Sequence, residues 1–468
     1  MLNIATEIFR EYDIRGQYPL KLNESIAHLI GKALGSEILI AKQQCCFVAW
    51  DGRHSSPSLR DALISGICST GCHVKLIGAT PTANAFWAIK QDGQSCAMIT
   101  GSHNPKQDNG VKIAVAGSPR SGEDIQVLLS RIQLGLFSEG HGEIEDASHL
   151  MDDYQQRLTQ DLTLKRSLKV VLDAGNGIGG PMAVKALRSL GAEVIEIACT
   201  VDGDFPLHHP DPAKSKNLKW LQEKVLFEKA DFGFALDGDA DRIGVVDNLG
   251  NTILPDRLSL LFIQDILAKY PAPQTNAPHT ILFDVKCTEQ LHNYVERWGG
   301  SPMMIATGHT SMKRAIKQTN AIFATELSGH IIFNDETGLG VDDGIYAGLR
   351  LAQLLAGQSH TLNELMDQFP QPVATEEIQL TVKDSEKFSI MSLIQHHAFK
   401  GLETCTIDGI RVNLEKGWAL VRASNTTPCL TLRFEAEDET SLQANMDLMT
   451  QELKKLLPNL EFDLNASH

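Results

Sequence analysis

Paired cysteines are the first thing this chain lacks. Its nine cysteines are odd in number and scattered, and no two form a Cys-x-x-Cys pair. That excludes a disulfide framework and a zinc ribbon, and it fits a reducing compartment. Long apolar runs are missing too. No stretch approaches the roughly 18 apolar residues of a membrane span. The opening segment MLNIATEIFREYDIRG has neither a basic start nor the apolar core of a secretory signal. The expected location is therefore cytoplasmic. Positive charge is also short, with 42 Lys and Arg against 58 Asp and Glu and a net charge of −16. Such a balance argues against nucleic acid or a membrane surface as partner. An anion could be bound only where cations gather locally. Nothing suggests an obligate protein partner.

What remains is ordinary globular composition, 43% apolar and 21% charged over 468 residues. That length allows three or four domains, each with its own core. Strand-like and helix-like runs alternate, which predicts an α/β fold with largely parallel sheets. A faint internal repeat organises them. Three apolar strands end in Asp and turn: FVAWDGR at Asp51, VVLDAGNG at Asp173 and ILFDVKC at Asp284. Each leads into a helical pattern and a second strand: HVKLIGAT, EVIEIACT and SPMMIATG. A third strand then enters a polar loop, in CAMITGSHNP, FGFALDGDADR and AIFATELSGH. In the first unit Ser56-Pro57 reads as an N-cap with an N1 proline, and Gly71 as a helix stop. Proline-rich PAPQTNAPH reads as a loop. Beyond about residue 367 the pattern changes to the strands EEIQLTV, GIRVNL, WALVRAS and CLTLRFEA, closed by a helix over 439–457. The expected domains are 1–146, 147–250, 251–366 and a smaller α+β domain at 367–468. Ligands bind at the carboxyl ends of strands in α/β sheets, so the three polar loops and the fourth domain could share one cleft.

Each polar loop carries a chemistry. In Asp237-Gly-Asp239-Ala-Asp241 the carboxylates alternate, and in an extended loop they share a side. Three carboxylates so placed repel unless a cation sits among them, and hard oxygen ligands suit Mg²⁺. In Thr-Gly-Ser102-His103-Asn-Pro the serine follows a buried strand. It reads either as part of a turn that bonds its own backbone or as a nucleophile. No Gly-x-Ser-x-Gly elbow is present, so acyl chemistry is not signalled. A phosphorylated Ser102 would carry about two negative charges and need cations and a metal beside it. In Glu326-Leu-Ser328-Gly-His330, Glu and Ser can offer an acceptor and a hydroxyl to one side, as a polyol requires; a helix-start cap fits equally well. In Arg422-Ala-Ser424-Asn425-Thr426-Thr-Pro, a guanidinium followed by small donors makes a phosphate cradle, with a hairpin turn as the alternative. Tyr12, Arg15, Lys112, Lys286 and His309 are scattered polar and cationic residues that could serve the same ligand, though each taken alone reads as a surface residue.

Together FREYDIRG, TGSHNP, DGDADR, ELSGH, GVDDG, RASNTTP and LRFEA resemble, in order and over essentially the whole chain, the α-D-phosphohexomutase superfamily. Within it the bacterial phosphomannomutases are most similar, including those that also act on phosphoglucose. The resemblance implies four domains around one cleft, the first three sharing one α/β topology. It implies that Ser102 is carried as phosphoserine, and that Asp237, Asp239, Asp241 and an oxygen on Ser102 hold Mg²⁺. It assigns Glu326 and Ser328 to sugar selection, and Arg422, Ser424, Asn425 and Thr426 to the distal phosphate. It places Arg15, His103, Lys112, Arg242 and His330 around the transferring phosphoryl, with Tyr12, Lys286 and His309 as further ligand contacts. Gly101 stands where many members have Ala, and Leu327 where Met is common. Phosphoglucosamine mutases usually have Gln at the latter position and are a weaker match.

The activity so implied moves a phosphoryl group between O1 and O6 of a hexose, a distance too great for one transfer. Phospho-Ser102 donates to the free hydroxyl, a 1,6-bisphosphate forms and turns over, and Ser102 recovers the other phosphoryl. Positioning and charge stabilisation supply most of the rate. Lys112 is the first candidate base and His330 the second. Hexose phosphates are the expected small-molecule partners, with hexose 1,6-bisphosphate as activator. Three other readings are a phosphoglucosamine mutase, a metal-dependent phosphatase using an Asp nucleophile, and a non-catalytic phosphosugar-binding protein.

Overall fold

The computed structural model describes residues 4–271, 277–425 and 427–458. Thr426 and the middle of the proline-rich loop, 272–276, lie outside them. Three times the chain runs strand, helix, strand, helix, strand. The first unit is Cys45–Trp50, Ser56–Cys68, His73–Ala79, Thr82–Asp92 and Ser95–Ile99. The second is Lys169–Asp173, Gly180–Ser189, Glu193–Ile197, Lys219–Glu228 and Phe232–Leu236. The third is Thr280–Asp284, Gln290–Arg297, Ser301–Ile305, His309–Thr319 and Phe323–Thr325. In each unit the third strand lies parallel to the first and beside it. These strands are buried on both faces, so they read as continuous apolar runs such as FGFAL.

Every unit then adds an antiparallel strand: Asp108–Val115, Ile243–Asp247 and Ile331–Phe333. The sheets are therefore mixed, and each polar loop is a hairpin connection at the carboxyl end of a parallel strand. This settles the ELSGH ambiguity against a helix start, because the segment joins two strands. The helix-cap expectation is corrected in detail. Ser55 is the N-cap, Ser56 sits inside the first turn, and its hydroxyl donates to Asp51 Oδ1 at 2.6 Å. The strand-end carboxylate outcompetes the helix terminus for that hydroxyl.

Strand alternation divides the packing. Cys46 and Val48 face a core made with the helices Glu24–Ile40, Ser56–Cys68 and Glu123–Leu134. Phe47 and Ala49 face a second core that runs on without a break through residues of the second and third units. That shared core brings the three polar loops to one side. The C-terminal sheet has its own core and two helices, Lys387–His397 and Glu439–Leu456. It docks on the third unit through Trp418, which is 1% exposed and lies between the guanidinium groups of Arg411 and Arg433 at 3.9 and 5.7 Å. Arg411 donates to the carbonyls of Val285 and Cys287 at 2.8 and 2.9 Å, fixing the segment that carries Lys286.

Candidate active site

The serine loop and the acidic loop meet. Ser102 is buried, with a left-handed φ of +48°. For a non-glycine residue that costs on the order of 1–2 kcal/mol. The Ser102 hydroxyl donates to Asp237 Oδ2 at 2.8 Å and lies 3.1 Å from His103 Nδ1. Gly238 makes the approach possible, since a Cβ there would stand 2.5 Å from the Ser102 carbonyl oxygen. Arg15 donates to Asn104 Oδ1 at 2.6 Å and to Asp13 Oδ2 at 2.5 Å. His103 is held well below the usual imidazole range by burial and by the Arg242 and Arg15 guanidinium groups.

Asp237, Asp239 and Asp241 are all fully buried, with ligand oxygens within 4.8 Å of one another. Lys112, from the antiparallel strand after the serine loop, donates to Asp239 Oδ2 at 2.7 Å and Asp241 Oδ2 at 2.5 Å. Thr82 also donates to Asp239 Oδ2, at 2.5 Å. Burial opposes the Lys112 charge, but the facing carboxylates outweigh it and hold the ammonium charged. Asp237 is pushed well above the carboxylate range by burial and then by its two neighbours. Asp239 Oδ1 and Asp241 Oδ1 are buried without a hydrogen-bond partner among the described residues. Orphaned carboxylate oxygens beside like charges are what a hard divalent cation would satisfy, so the residues fit one.

Arg242 follows the acidic loop and donates from Nε to His330 Nε2 at 3.0 Å. His330 Nδ1 in turn lies 3.2 Å from Asp342 Oδ2. Asp342 also faces Lys313 at 2.6 Å and His309 Nδ1 at 3.8 Å, and the two histidine rings stack at 5.5 Å. Burial, then Lys313, holds His309 well below the imidazole range. Glu326 accepts from Gly308 N at 2.5 Å and from the Ser328 hydroxyl at 3.0 Å. Burial raises its pKa. Lys286 reaches Glu377 at 2.9 Å.

The C-terminal loop is a hairpin between Gly417–Ala423 and Cys429–Ala436, and it also presents the arginine. Arg422 Nε donates to Asp408 Oδ2 at 2.9 Å, an oxygen that also accepts from Thr307 N at 3.1 Å. Asn425 donates to the Tyr12 hydroxyl at 2.5 Å, which donates to the Thr307 carbonyl at 2.7 Å. Ser424 lies 2.8 Å from the Thr427 hydroxyl. Thr426 was expected here and lies outside the described residues.

Two clusters result: Ser102, His103, the three Asp, Lys112, Arg242 and His330 in one, and Tyr12, Arg422 and Asn425 in the other. The ELSGH segment lies between them, with Glu326 bonded to Gly308 and its backbone N–H to the His330 carbonyl at 2.9 Å. Sequence reading missed Arg53, Thr82, Lys313, Asp342, Glu377 and Asp408. Asp342 had a visible signal in GVDDG, just before a buried helix capped by Asp343.

That fold and those loops are the architecture of an α-D-phosphohexomutase. Phosphoglucomutase/phosphomannomutase family models match residues 6–135 as alpha/beta/alpha domain I, 151–250 as domain II and 255–373 as domain III, with 377–451 as the C-terminal domain. A phosphomannomutase/phosphoglucomutase of Pseudomonas syringae pv. tomato is 44% identical over 456 residues, covering 97% of this chain and 96% of that protein. A phosphoglucomutase of Neisseria meningitidis serogroup A is 39% identical, covering 95% and 96%. A phosphoglucomutase/phosphomannomutase family protein of Burkholderia thailandensis superposes with a TM-score of 0.91 at 38% identity, covering 98% and 99%. The chain belongs to the phosphoglucomutase/phosphomannomutase family.

Proposed function

We propose that the protein is a phosphomannomutase that also accepts glucose phosphates, working through phospho-Ser102 and a hexose 1,6-bisphosphate. The observation that carries the reading is a buried serine hydroxyl bonded to the first of three clustered carboxylates. Relatives at 42–44% identity that bear both activities in their names support it. We place the domain boundaries near 147, 250 and 367; the family-model matches break between 135 and 151, between 250 and 255, and between 373 and 377.

In the forward step the Ser102 Oγ–P bond breaks and a bond forms from phosphorus to the free sugar hydroxyl. The hydroxyl proton passes to a base; Lys112, expected first for that role, is held as a charged ammonium by the facing carboxylates and cannot accept it, which leaves His330. Ser102 Oγ takes up a proton as it leaves and becomes the hydroxyl that donates to Asp237 Oδ2. Arg15, Arg242 and His103 surround the transferring group. Asp237, Asp239 and Asp241 would hold Mg²⁺, which when bound would supply charge stabilisation for the phosphoryl oxygens. Glu326 and Ser328 hold the sugar, joined by Tyr12, Lys286 and His309. Arg422, Ser424, Asn425 and Thr426 hold the phosphate that is not reacting.

Arg422→Ala is expected to weaken binding of that phosphate. A charge-assisted hydrogen bond contributes roughly 1.5–3 kcal/mol, so affinity should fall about ten- to a hundredfold. Calorimetric titration with mannose 1-phosphate measures it, and unchanged affinity in folded protein would reduce RASNTTP to a plain turn.

Mannose and glucose share O3 and O4 and differ at C2. A pair such as Glu326 and Ser328 reading O3 and O4 has little leverage on C2. Comparable kcat/KM for mannose and glucose 1-phosphates is therefore expected. Glucosamine 1-phosphate should be slower, since its amine enters a site already lined by Lys112 and Arg15. The test is kcat/KM for all three under one set of conditions. A preference for the glucosamine compound would make the protein a phosphoglucosamine mutase.

A further inference from the structure

We propose that Arg53 is the positioning residue that sets the aim of Ser102, acting through the backbone of the serine loop; this rests on Ser102 being the phosphoryl carrier. Arg53 lies three residues beyond the strand Cys45–Trp50 and is 1% exposed. The serine loop wraps its guanidinium. Nη2 donates to the carbonyls of Ser102 and Asn104, both at 2.7 Å, and Nη1 to those of Pro105 and Asp108 at 2.7 and 3.0 Å. Nε lies 3.3 Å from Asp51 Oδ2, and that same oxygen accepts the Gly101 N–H at 3.2 Å. The loop is thus gripped from both sides of the reactive residue. Asp51 takes the amide before Ser102, and Arg53 takes the carbonyl of Ser102 and three beyond it.

The grip explains a conformation the serine would not choose. With φ at +48°, Ser102 sits in the left-handed region. Relaxation to an extended or right-handed backbone would swing Oγ away from Asp237 Oδ2, now 2.8 Å distant. The contact is close enough that a Cβ on Gly101 would stand 2.5 Å from Arg53 Cζ and Nε. Only arginine suits the task. Its planar fork serves four carbonyls at once, whereas a lysine has three donors at a single point. The buried charge is met by Asp51 and by the carbonyl dipoles. Sugar and distal-phosphate contacts come from other loops, so a loosened serine loop should impair the chemical step and leave binding alone.

The test compares R53K with wild type and S102A in the full chain, recording kcat, KM for mannose 1-phosphate, Tm and the mass of the Ser102 phosphopeptide. For R53K a kcat lowered roughly a hundredfold is expected, the scale of an ångström-level misplacement, with KM within about threefold since binding is untouched. The phosphate on Ser102 should also be lost to water faster. If R53K does not fold, D51N replaces it; its amide oxygen can still accept from Gly101, and it must show the same split between kcat and KM. A folded R53K with normal kcat, or one whose loss lies in KM, overturns the proposal. Near-normal turnover in S102A would instead overturn the reading of Ser102 on which it rests.

Discussion

Ser102→Ala is expected to abolish mutase turnover, with kcat falling by roughly 10³- to 10⁶-fold, the range seen when an enzyme loses its nucleophile. The substitution removes one buried oxygen and leaves Asp237 Oδ2 without its 2.8 Å donor. An unpaired buried acceptor costs about 1–3 kcal/mol, and a domain typically has about 5–15 kcal/mol of stability. The variant should therefore fold, and its failure should be chemical. Sugar phosphate should still bind, because Glu326, Ser328 and the Arg422 loop are untouched. Turnover assays beside calorimetric binding check this. Near-normal turnover would remove the phosphoserine from the account.

Loss of the metal should be almost as severe. Three carboxylates face one ammonium in a fully buried site, and two of their oxygens have no hydrogen-bond partner among the described residues. A cation placed there stabilises transferring phosphoryl oxygens by several kcal/mol, so its removal should cost roughly 10³-fold in kcat. Asp239→Asn should act through two routes. It removes a ligand charge, and it takes from Lys112 one of the two carboxylate charges its ammonium contacts, while the amide oxygen can still accept from Lys112 and Thr82. Chelation followed by Mg²⁺ add-back checks the metal requirement: wild type recovers, and Asp239→Asn does not. Full activity in chelator, with no metal found by elemental analysis, would contradict the assignment.

The repeated order of elements was legible because a parallel strand buried on both faces writes itself as an apolar run ending at a polar loop. The antiparallel strand closing each unit was less visible. Its sequences, such as IGVVD, follow the polar loop at once and do not announce a change of direction. Loop chemistry could be read where the functional groups are close in sequence, as in Asp237, Asp239 and Asp241. Partners supplied from elsewhere could not. Lys112 is 127 residues from Asp239, and only folding brings them to 2.7 Å. Asp408 meets Arg422 from the turn before the strand Ile410–Leu414, and Lys313 meets Asp342 from a helix. Arg53 is the sharpest case. In FVAWDGR it looks like any exposed arginine after a turn, and its role depends on carbonyls, which every residue has. Backbone recognition leaves no residue-type signal in the sequence.

A single-turnover experiment tests directly whether one phosphoryl group passes from Ser102 to the sugar. Protein carrying an isotopically labelled phosphate on Ser102, mapped by phosphopeptide mass, should be mixed with unlabelled mannose 1-phosphate and quenched within a single turnover. The label is expected to leave the Ser102 peptide and appear in mannose 1,6-bisphosphate, then in mannose 6-phosphate. Label that stays on the peptide while product forms, or that appears chiefly as inorganic phosphate, would contradict that transfer.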